Sequence, residues 1–258
     1  MTNLYIITGS SRGLGLAMAQ QLMKPGNHLL CMARNDHPQL EQAAQSTKTR
    51  LTQWMQDLTQ GAEAAKRLTD WLAQQPNQGI DSATLINNAA MLPTIAPLRE
   101  TGDTDIANVL RIGLEAPMLL TAAFLRGTAA WKQSNGAASR QRVMNISSGL
   151  GRNAMASQTL YCAAKAGLDH FTRCLALEEA NKSDGAQVCS IAPGVIDTDM
   201  QIHLRETRAT AFADRARFVD LKNSGQLSSP AACAAKLLKY LESPAFGSQV
   251  IADIRELA

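Results

Sequence analysis

The 258-residue sequence predicts a single α/β domain over residues 1–258, built on a doubly wound parallel sheet of about seven strands with helices on both faces. Three observations support this prediction. Strand-like and helix-like segments alternate along the chain, the first strand leads directly into a glycine-rich turn and a helix, and no repeat or linker divides the chain. Strands that alternate with helices form parallel sheets through right-handed crossovers. With 45% hydrophobic residues, a chain of this length can bury a large core.

The individual elements follow from short apolar runs for strands and longer apolar-periodic segments for helices. The predicted strands, in chain order, cover 4–8, 28–33, 51–56, 83–87, 142–147, 187–191 and 248–252. The predicted helices cover 14–23, 38–48, 61–75, 104–130, 158–181, 199–222 and 229–242.

Composition argues against several classes of protein. The net charge of +3 is too small, and the basic residues too scattered, to suggest nucleic-acid binding. We expect no membrane span, because no apolar run reaches eighteen residues, and no signal peptide, because the first strand begins by residue 4. The histidines are isolated and the cysteines have no metal-ligand spacing, so we expect no metal, reduced thiols and a cytoplasmic location. The cysteines are Cys31, Cys162, Cys174, Cys189 and Cys233, and the histidines are His28, His37, His170 and His203.

The first strand enters a glycine-rich turn whose spacing is Gly9-x-x-x-Gly13-x-Gly15. Backbone N–H groups and the dipole of the following helix converge at such a turn and form an anion site suited to a diphosphate. Glycine lets the chain turn tightly and lets a phosphate approach the backbone. Simple tight packing of strand against helix is the alternative interpretation of the turn.

Tyr161 and Lys165 are four residues apart in a predicted helix and therefore lie on one face of it. A phenol has a reference pKa of about 10, and a neighbouring ammonium should lower that pKa toward neutrality. Ser148, thirteen residues before the tyrosine, could hold a carbonyl oxygen while the phenol protonates it. The three residues together predict a carbonyl reductase site, whereas the pair alone would suit an exposed tyrosine above a solvated lysine.

Four motifs, in order along the whole chain, resemble those of the short-chain dehydrogenase/reductase family. They are Thr8–Gly15, Asn87-Asn88-Ala89-Ala90 in place of an NNAG segment, Asn145–Ser148 with Ser148 in register with Tyr161, and Ala192–Thr198. The resemblance implies a Rossmann-type oxidoreductase in which Ser148, Tyr161 and Lys165 are catalytic. It also implies a nicotinamide cofactor held by Gly9, Ser11, Arg12, Gly13, Leu14, Gly15, Arg34, Asp57, Leu58, Asn88, Ala89, Tyr161, Lys165, Pro193, Gly194, Ile196 and Thr198.

Charge at the end of the second strand favours NADPH over NADH as the cofactor. In such folds an acidic residue at this position binds the ribose of NAD, whereas an arginine suits the 2′-phosphate of NADP. Here the strand ends at Ala33 and Arg34, and Arg12 could reach the same phosphate. We interpret the nearby Asp36 as a helix cap rather than a ribose ligand, and Asp57 as an adenine contact or another cap.

Several segments, most of them in the second half of the chain, carry a closer resemblance: Ala33–Asp36, Tyr161–Ala166, Ala176–Glu179, Ala192–Gln201 and Leu204–Thr207. Within the family they most resemble sepiapterin reductases and related dicarbonyl (benzil) reductases. That resemblance implies reduction of a ketone or vicinal dicarbonyl, with Asp253 as a substrate anchor, although Asp253 could equally be an exposed carboxylate after an edge strand. We expect residues 199–228 to form a substrate lid. Its arginines leave open a reductase of another ketone, such as a 3-oxoacyl thioester; they are Arg205, Arg208, Arg215 and Arg217.

One position departs from the family pattern. Counting back eight residues from Thr121 gives Gly113, where members of the family usually carry an asparagine that supports a proton relay to the lysine. This departure keeps open a catalytically weak NADPH-binding protein that acts as a sensor. The resemblance further implies a homodimer or homotetramer, formed through helices 104–130 and 158–181, that acts on a small molecule.

Overall fold

The sheet is parallel throughout, and its strand order is β3-β2-β1-β4-β5-β6-β7. The computed structural model describes residues 2–133 and 135–257. The strands are β1 (Thr2–Thr8), β2 (Asn27–Ala33), β3 (Arg50–Met55), β4 (Ile80–Asn87), β5 (Arg140–Ile146), β6 (Gln187–Ala192) and β7 (Ile251–Asp253). The strand order reverses direction between β1 and β4, where the carboxyl ends of the strands open a crevice. The predicted fold class, a Rossmann-like doubly wound sheet, is confirmed.

Helices cover both faces of the sheet because alternate residues of each strand point to opposite sides. The helices are α1 (Gly13–Gln21), α2 (Pro38–Thr47), α3 (Gly61–Leu72), α4 (Asp103–Leu110), α5 (Ala116–Thr128), α6 (Thr159–Ala180), α7 (Asp199–Glu206), α8 (Arg215–Asn223) and α9 (Pro230–Glu242). Tyr5 and Ile7 pack in the core beneath α1, α2 and α9. Leu4 and Ile6 pack in the opposite core, beneath α3, α5 and part of α6. The inner strands β1, β2 and β4 are therefore buried on both faces, whereas the edge strand β3 is buried only at Trp54.

The helix predicted over 104–130 is present as the helical stretch Asp103–Thr128, but a π-helical turn that the sequence did not predict divides it. Residues Arg111–Glu115 form a π-helical turn between α4 and α5, and the N–H of Ala116 donates to the carbonyl of Arg111, five residues back. Pro117 has no N–H to donate to the carbonyl of Gly113, so the regular α-helical hydrogen-bond ladder cannot continue through this point. The wider turn follows from that missing donor.

The helix predicted over 199–222 divides into α7 and α8. The backbone becomes extended at Thr207, and Phe212, between the two helices, is buried. The Phe212 ring lies 5.5 Å from the ring of Phe218, in a small core that also contains Ile95 and Leu204. Burial of Phe212 stabilises the break between α7 and α8, which the helical periodicity of the sequence does not predict.

Among the described residues, one helical stretch, Asp103–Thr128, is long and apolar enough to cross a membrane by length and composition. Core helices share this length and composition, so the expectation of no membrane span stays a prediction. The stretch packs on α3 and α6, and its buried apolar side chains form part of the core on one face of the sheet.

Candidate active site

A cleft of about 820 Å³ opens at the carboxyl ends of the strands. Its walls come from the turns after β1, β2, β3, β4, β5 and β6, and from the face of α6. Most of the residues predicted to bind the cofactor line it: Gly9, Ser11, Arg12, Gly13, Leu14, Arg34, Asp57, Leu58, Asn88, Ala89, Tyr161, Lys165, Pro193, Ile196 and Thr198. Gly15, Gly194, Ser148 and Asp253 are not among the lining residues of this cleft.

The glycine turn uses its glycines for both conformation and space. Gly9 and Gly13 have φ values of +69° and +54°, which L-residues with side chains rarely adopt. Gly15 has no positive φ, but a Cβ there would overlap the carbonyl oxygen of Gly9 and the side-chain amide of Asn88. Close approach of α1 to β1 and β4 therefore requires glycine at this position.

The segment after β4 is hydrogen-bonded directly to the glycine turn. The Asn88 side-chain N–H₂ donates to the carbonyls of Thr8 and Gly9, at 3.0 and 3.2 Å. In return, the Thr8 hydroxyl accepts hydrogen bonds at 3.0 Å from the backbone N–H groups of Asn88 and Ala89. These bonds hold the two turns at a fixed separation across the strand-order switch point.

The start of α1 suits a diphosphate. Arg12, the residue before the helix, is extended, and among the described residues its side chain makes no capping hydrogen bond to the first turn. The N–H groups of a first turn are unsatisfied within a helix and carry the positive end of its dipole. Together with the positive φ of Gly13 at the cleft wall, this geometry fits the phosphates of a dinucleotide.

The two arginines predicted to share the 2′-phosphate lie in different surroundings. Arg34 follows β2 and is exposed at the cleft wall. Arg12 is also exposed, but its Nη1 lies 2.8 Å from Oδ2 of Asp199 at the start of α7. Asp36 does not cap α2, since His37 occupies that position, so the cap interpretation of Asp36 was wrong. Asp57 does act as a cap: its Oδ1 accepts from the N–H of Thr59 at 2.9 Å while the residue lines the cleft.

Tyr161 and Lys165 line the cleft, and Ser148 lies beside Tyr161 just outside the lining. The Lys165 ammonium lies 5.6 Å from the centre of the Tyr161 ring and donates to the carbonyl of Ile146 at 2.7 Å. The Ser148 hydroxyl is hydrogen-bonded to the Tyr161 phenol and accepts from the N–H of Leu150 at 3.1 Å. Although adjacent Ser147 lines the cleft, Ser148 is the serine in contact with the tyrosine, as the spacing predicted.

Burial dominates the acid-base properties of these groups. Desolvation raises the pKa of Tyr161 to about 12, and the hydrogen bond from Ser148 only partly opposes this rise. The expected lowering of the Tyr161 pKa by Lys165 is therefore not found in the protein without its ligands. Desolvation lowers the pKa of Lys165 to about 8, and the negative charge of Asp169 opposes that shift. Because the pKa of Lys165 lies close to neutral pH, a change in its surroundings can change its charge.

Gly113 is buried in the π-helical turn and faces α6. A Cβ at this position would lie 3.0 Å from the Cβ of Ala164, the residue before Lys165. The absence of a side chain thus lets the turn approach the helix that carries Tyr161 and Lys165. The residue supplies no side-chain donor or acceptor to a relay, in agreement with the departure noted in the sequence.

Asp253 differs from both sequence interpretations in its surroundings. It is the last residue of β7 rather than a residue after it, and it is only 3% exposed. Both of its carboxylate oxygens accept from the Arg255 guanidinium, at 2.8 and 2.6 Å, and the arginine holds the pKa of Asp253 below its usual range. The alternative of an exposed carboxylate was wrong, because this short-range bidentate pair covers the group. Its role as a substrate anchor stays a prediction.

The segment predicted to be a lid contributes residues that the sequence did not single out. Met200 and His203 of α7 line the cleft together with Met91 and Leu92 from the loop after β4. The segment is attached through Asp197, whose carboxylate lies 2.6 Å from the Lys222 ammonium and 3.9 Å from the Arg205 guanidinium. Arg205 and Arg215 are partly buried, and the Nε of Arg215 donates to the Arg205 carbonyl. No local motif marks Met91 or Leu92, which reach the cleft only through the fold.

Comparison with known proteins gives matches over nearly the whole chain. The family profile described as short chain dehydrogenase matches residues 3–209. Benzil reductase ((S)-benzoin forming) of Bacillus cereus is 33% identical, over 97% of this chain and 98% of the relative. Sepiapterin reductase of Meriones unguiculatus is also 33% identical, over 96% of this chain and 94% of the relative. The crystal structure of a short-chain dehydrogenase/reductase from Burkholderia vietnamiensis is similar, with 31% identity, a TM-score of 0.64, and coverage of 99% and 98%.

Proposed function

Because the chain belongs to the short-chain dehydrogenase family, we propose that it is an NADPH-dependent carbonyl reductase acting on a ketone or vicinal dicarbonyl. The observation that carries this proposal is that Tyr161 and Lys165, with Ser148 beside the tyrosine, belong to the same cleft as the glycine turn. A dinucleotide held along this cleft would present its nicotinamide to the same three side chains. The carbonyl would bind above it, with its oxygen toward Tyr161.

NADPH, when bound, supplies the hydride that reduces the carbonyl carbon. Ser148 orients the substrate oxygen by donating a hydrogen bond to it. As the C=O π electrons move onto oxygen, Tyr161 transfers its phenolic proton there, and an alcohol results. Lys165 stabilises the phenolate left behind by its positive charge, and Tyr161 then regains a proton from the lysine or from water. Proton and hydride together account for the two hydrogens of the product.

Support for NADPH rather than NADH comes from charge at the end of β2. Arg34 is exposed at the cleft wall where the adenosine ribose of a dinucleotide would lie, and it is the cation nearest the end of this strand. A guanidinium binds phosphate through two parallel charge-assisted hydrogen bonds. Arg12 can join it only by leaving Asp199, an exchange between exposed partners with a small free-energy cost.

Support for an uncharged substrate comes from the apolar residues that line the cleft. Met91, Leu92 and Met200 contribute apolar side chains to the cleft lining, which also includes His203. Methionine and leucine side chains adapt to flat, apolar molecules. The names of the two relatives, benzil reductase and sepiapterin reductase, point to the same class of dicarbonyl and side-chain ketone.

Two further functions stay as alternatives, each with one observation behind it. Arg208 and Arg217 are exposed on the predicted lid, so a 3-oxoacyl thioester on an acidic carrier could dock beside the cleft. Gly113 supplies no relay side chain, which favours a weakly catalytic protein that binds NADPH as a sensor. The reductase proposal requires instead that Lys165 receive its proton from water.

We also propose a cytoplasmic homo-oligomer paired through α4, α5 and α6. Leu110, Met118 and Leu177 are exposed apolar side chains on these helices. A second copy would bury them, as the tendency of the family to form oligomers suggests.

The assay that separates these functions measures NADPH oxidation by the purified protein with benzil, sepiapterin and acetoacetyl thioester in parallel. We expect turnover with benzil or sepiapterin and little or none with the thioester. Efficient turnover of the thioester alone would favour the second function. Tight NADPH binding with no turnover of any of the three would favour the sensor and contradict our proposal.

A further inference from the structure

A buried ionic cluster lies directly behind the reacting groups. Its centre is Asp169, which is 1% exposed and follows Lys165 by one turn of α6. The Ser190 hydroxyl of β6 donates to Oδ1 of Asp169 at 2.6 Å, and Nε of Arg152 lies 3.4 Å from Oδ2. Nothing in the reaction described above uses these side chains. A buried carboxylate is costly to retain and is an unusual group for a core.

The cluster joins the segments that carry the catalytic residues. Gly151, in the turn that begins at Ser148, lies so close to α6 that a Cβ there would be 2.9 Å from Oδ2 of Asp169 and 3.0 Å from the carbonyl of Lys165. Arg152 extends from the same turn to donate to the carbonyl of Ala252 in β7, at 2.9 Å. The turn after β5 is therefore fixed to α6 and β7 around one carboxylate.

Asp169 also acts on Lys165 through its charge. The two residues make no ion pair within 4 Å among the described residues, but side chains four apart on a helix are neighbours. Lys165 is 3% exposed, and its ammonium has one carbonyl as partner, so burial disfavours its charged form. Of the groups facing it, the Tyr161 phenol is neutral, and Asp169 supplies the negative charge that favours the ammonium.

The other charged groups around the cluster determine in which direction each substitution should shift the protonation of Lys165. Arg152 faces Asp169 from the turn after β5, and its positive charge partly neutralises the carboxylate. Beyond it, Asp253 and Arg255 neutralise each other in a bidentate pair. On β6, burial raises the pKa of the Cys189 thiol to about 12, and the negative charge of Asp169 adds to this rise, so the thiol stays neutral. Burial therefore disfavours the Lys165 ammonium, Asp169 favours it, and Arg152 acts on it through its pairing with Asp169.

We propose that Asp169 is a positioning residue of the reductase site, which holds Lys165 in its ammonium form and fixes the turn bearing Ser148 against α6. The catalytic part of this inference rests on the proposed function. The protonation of Lys165, however, can be followed without turnover, because a neutral lysine loses its attraction for a negatively charged dinucleotide.

The test compares Asp169→Asn, Arg152→Gln and the matched control Glu179→Gln with the unmodified protein. Glu179 is another buried carboxylate of α6, paired with Lys182 far from the cleft. For each protein, NADPH affinity is measured against pH by quenching of tryptophan fluorescence, and kcat/KM with benzil is measured over the same range. Circular dichroism establishes that each variant is folded.

Loss of the Asp169 charge should move the alkaline fall in NADPH affinity to lower pH by about one unit. Arg152→Gln should move it in the opposite direction, and Glu179→Gln should leave it in place. If the Asp169 variant does not fold, the upward shift in the Arg152 variant still tests the inference. Unchanged profiles in the folded variants, or shifts of the same sign in both, would overturn it. If the predicted shifts in NADPH affinity are observed but benzil is not turned over, only the proposed reductase function is contradicted.

Discussion

Arg12 and Arg34 illustrate how much of a binding preference one side chain can decide. Both arginines were predicted from the sequence to bind one phosphate, but the pairing of Arg12 with Asp199 leaves Arg34 as the cation at the end of β2. The cofactor preference should therefore depend on Arg34 more than on Arg12. An arginine on an exposed wall also contributes little to folding, so its replacement tests binding cleanly.

Replacement of Arg34 by alanine should weaken NADPH binding roughly 10–100-fold, because charge-assisted hydrogen bonds contribute about 1.5–3 kcal/mol. NADH, which has no 2′-phosphate, should bind with almost unchanged affinity. Titration of both cofactors by fluorescence measures the two constants, and Arg12→Ala provides the comparison, with a smaller effect expected. An equal loss of affinity for NADPH and NADH in the Arg34 variant would contradict this account.

At the residue scale, sequence could predict side chains whose spacing is local and whose partners lie on the same helix or in the next turn. Tyr161, Lys165 and Ser148 come together in this way. Their pKa values could not be predicted, because the degree of burial depends on packing of the whole domain. Asp169 escaped notice for the same reason: its partners Ser190 and Arg152 come from other elements.

At the scale of elements, the turn between β1 and α1 depends on the space around Gly15. Alanine usually stabilises a helix by about 1 kcal/mol relative to glycine. At Gly15, however, its Cβ would meet the backbone carbonyl of Gly9, which cannot move without displacing the turn. The gain in helix propensity should therefore be outweighed by overpacking.

Gly15→Ala should lower the thermal midpoint by about 3–10 °C, since overpacking costs about 1–3 kcal/mol and each kcal/mol corresponds to about 2–4 °C. NADPH binding should weaken as well, because the displaced turn no longer matches a diphosphate. Gly102→Ala is the matched control, since a Cβ at position 102 meets no atom of the described residues within 4 Å. A midpoint for Gly15→Ala equal to that of the control would contradict the assigned packing.

Element boundaries were predictable where hydrophobic periodicity was regular, and the predicted strands overlap those of the sheet in every case. Within two predicted helices, an irregularity was not predicted, and each irregularity has a physical reason. Pro117 removes a donor and forces the π-helical turn around Gly113, whereas burial of Phe212 separates α7 from α8. A missing donor is visible in sequence, but its consequence at Gly113 became clear only from the packing against Ala164.

At the scale of the whole molecule, the sheet brings together segments that are distant in the chain. The glycine turn, Asn88, Ser147 and Thr198 all follow strands, and parallel strands end at one edge, so the four segments surround a single cleft. The order of motifs along the chain therefore predicted both the fold and the position of the site. Cleft-lining residues such as Met91 and His203 were beyond prediction because they depend on how the segments after β4 and β6 cross that edge.

The central claim is that this cleft reduces a carbonyl with Tyr161 as the proton donor. The most direct test is the rate of NADPH oxidation with benzil by Tyr161→Phe, with NADPH affinity measured on the same sample. Tyr240→Phe is the control, since Tyr240 is a buried phenol of α9 packed on Phe246, outside the cleft. Loss of a general acid should lower turnover by about 10²-fold or more while NADPH affinity stays close to that of the unmodified protein. Turnover retained in Tyr161→Phe, with the protein folded and NADPH bound, would contradict the claim.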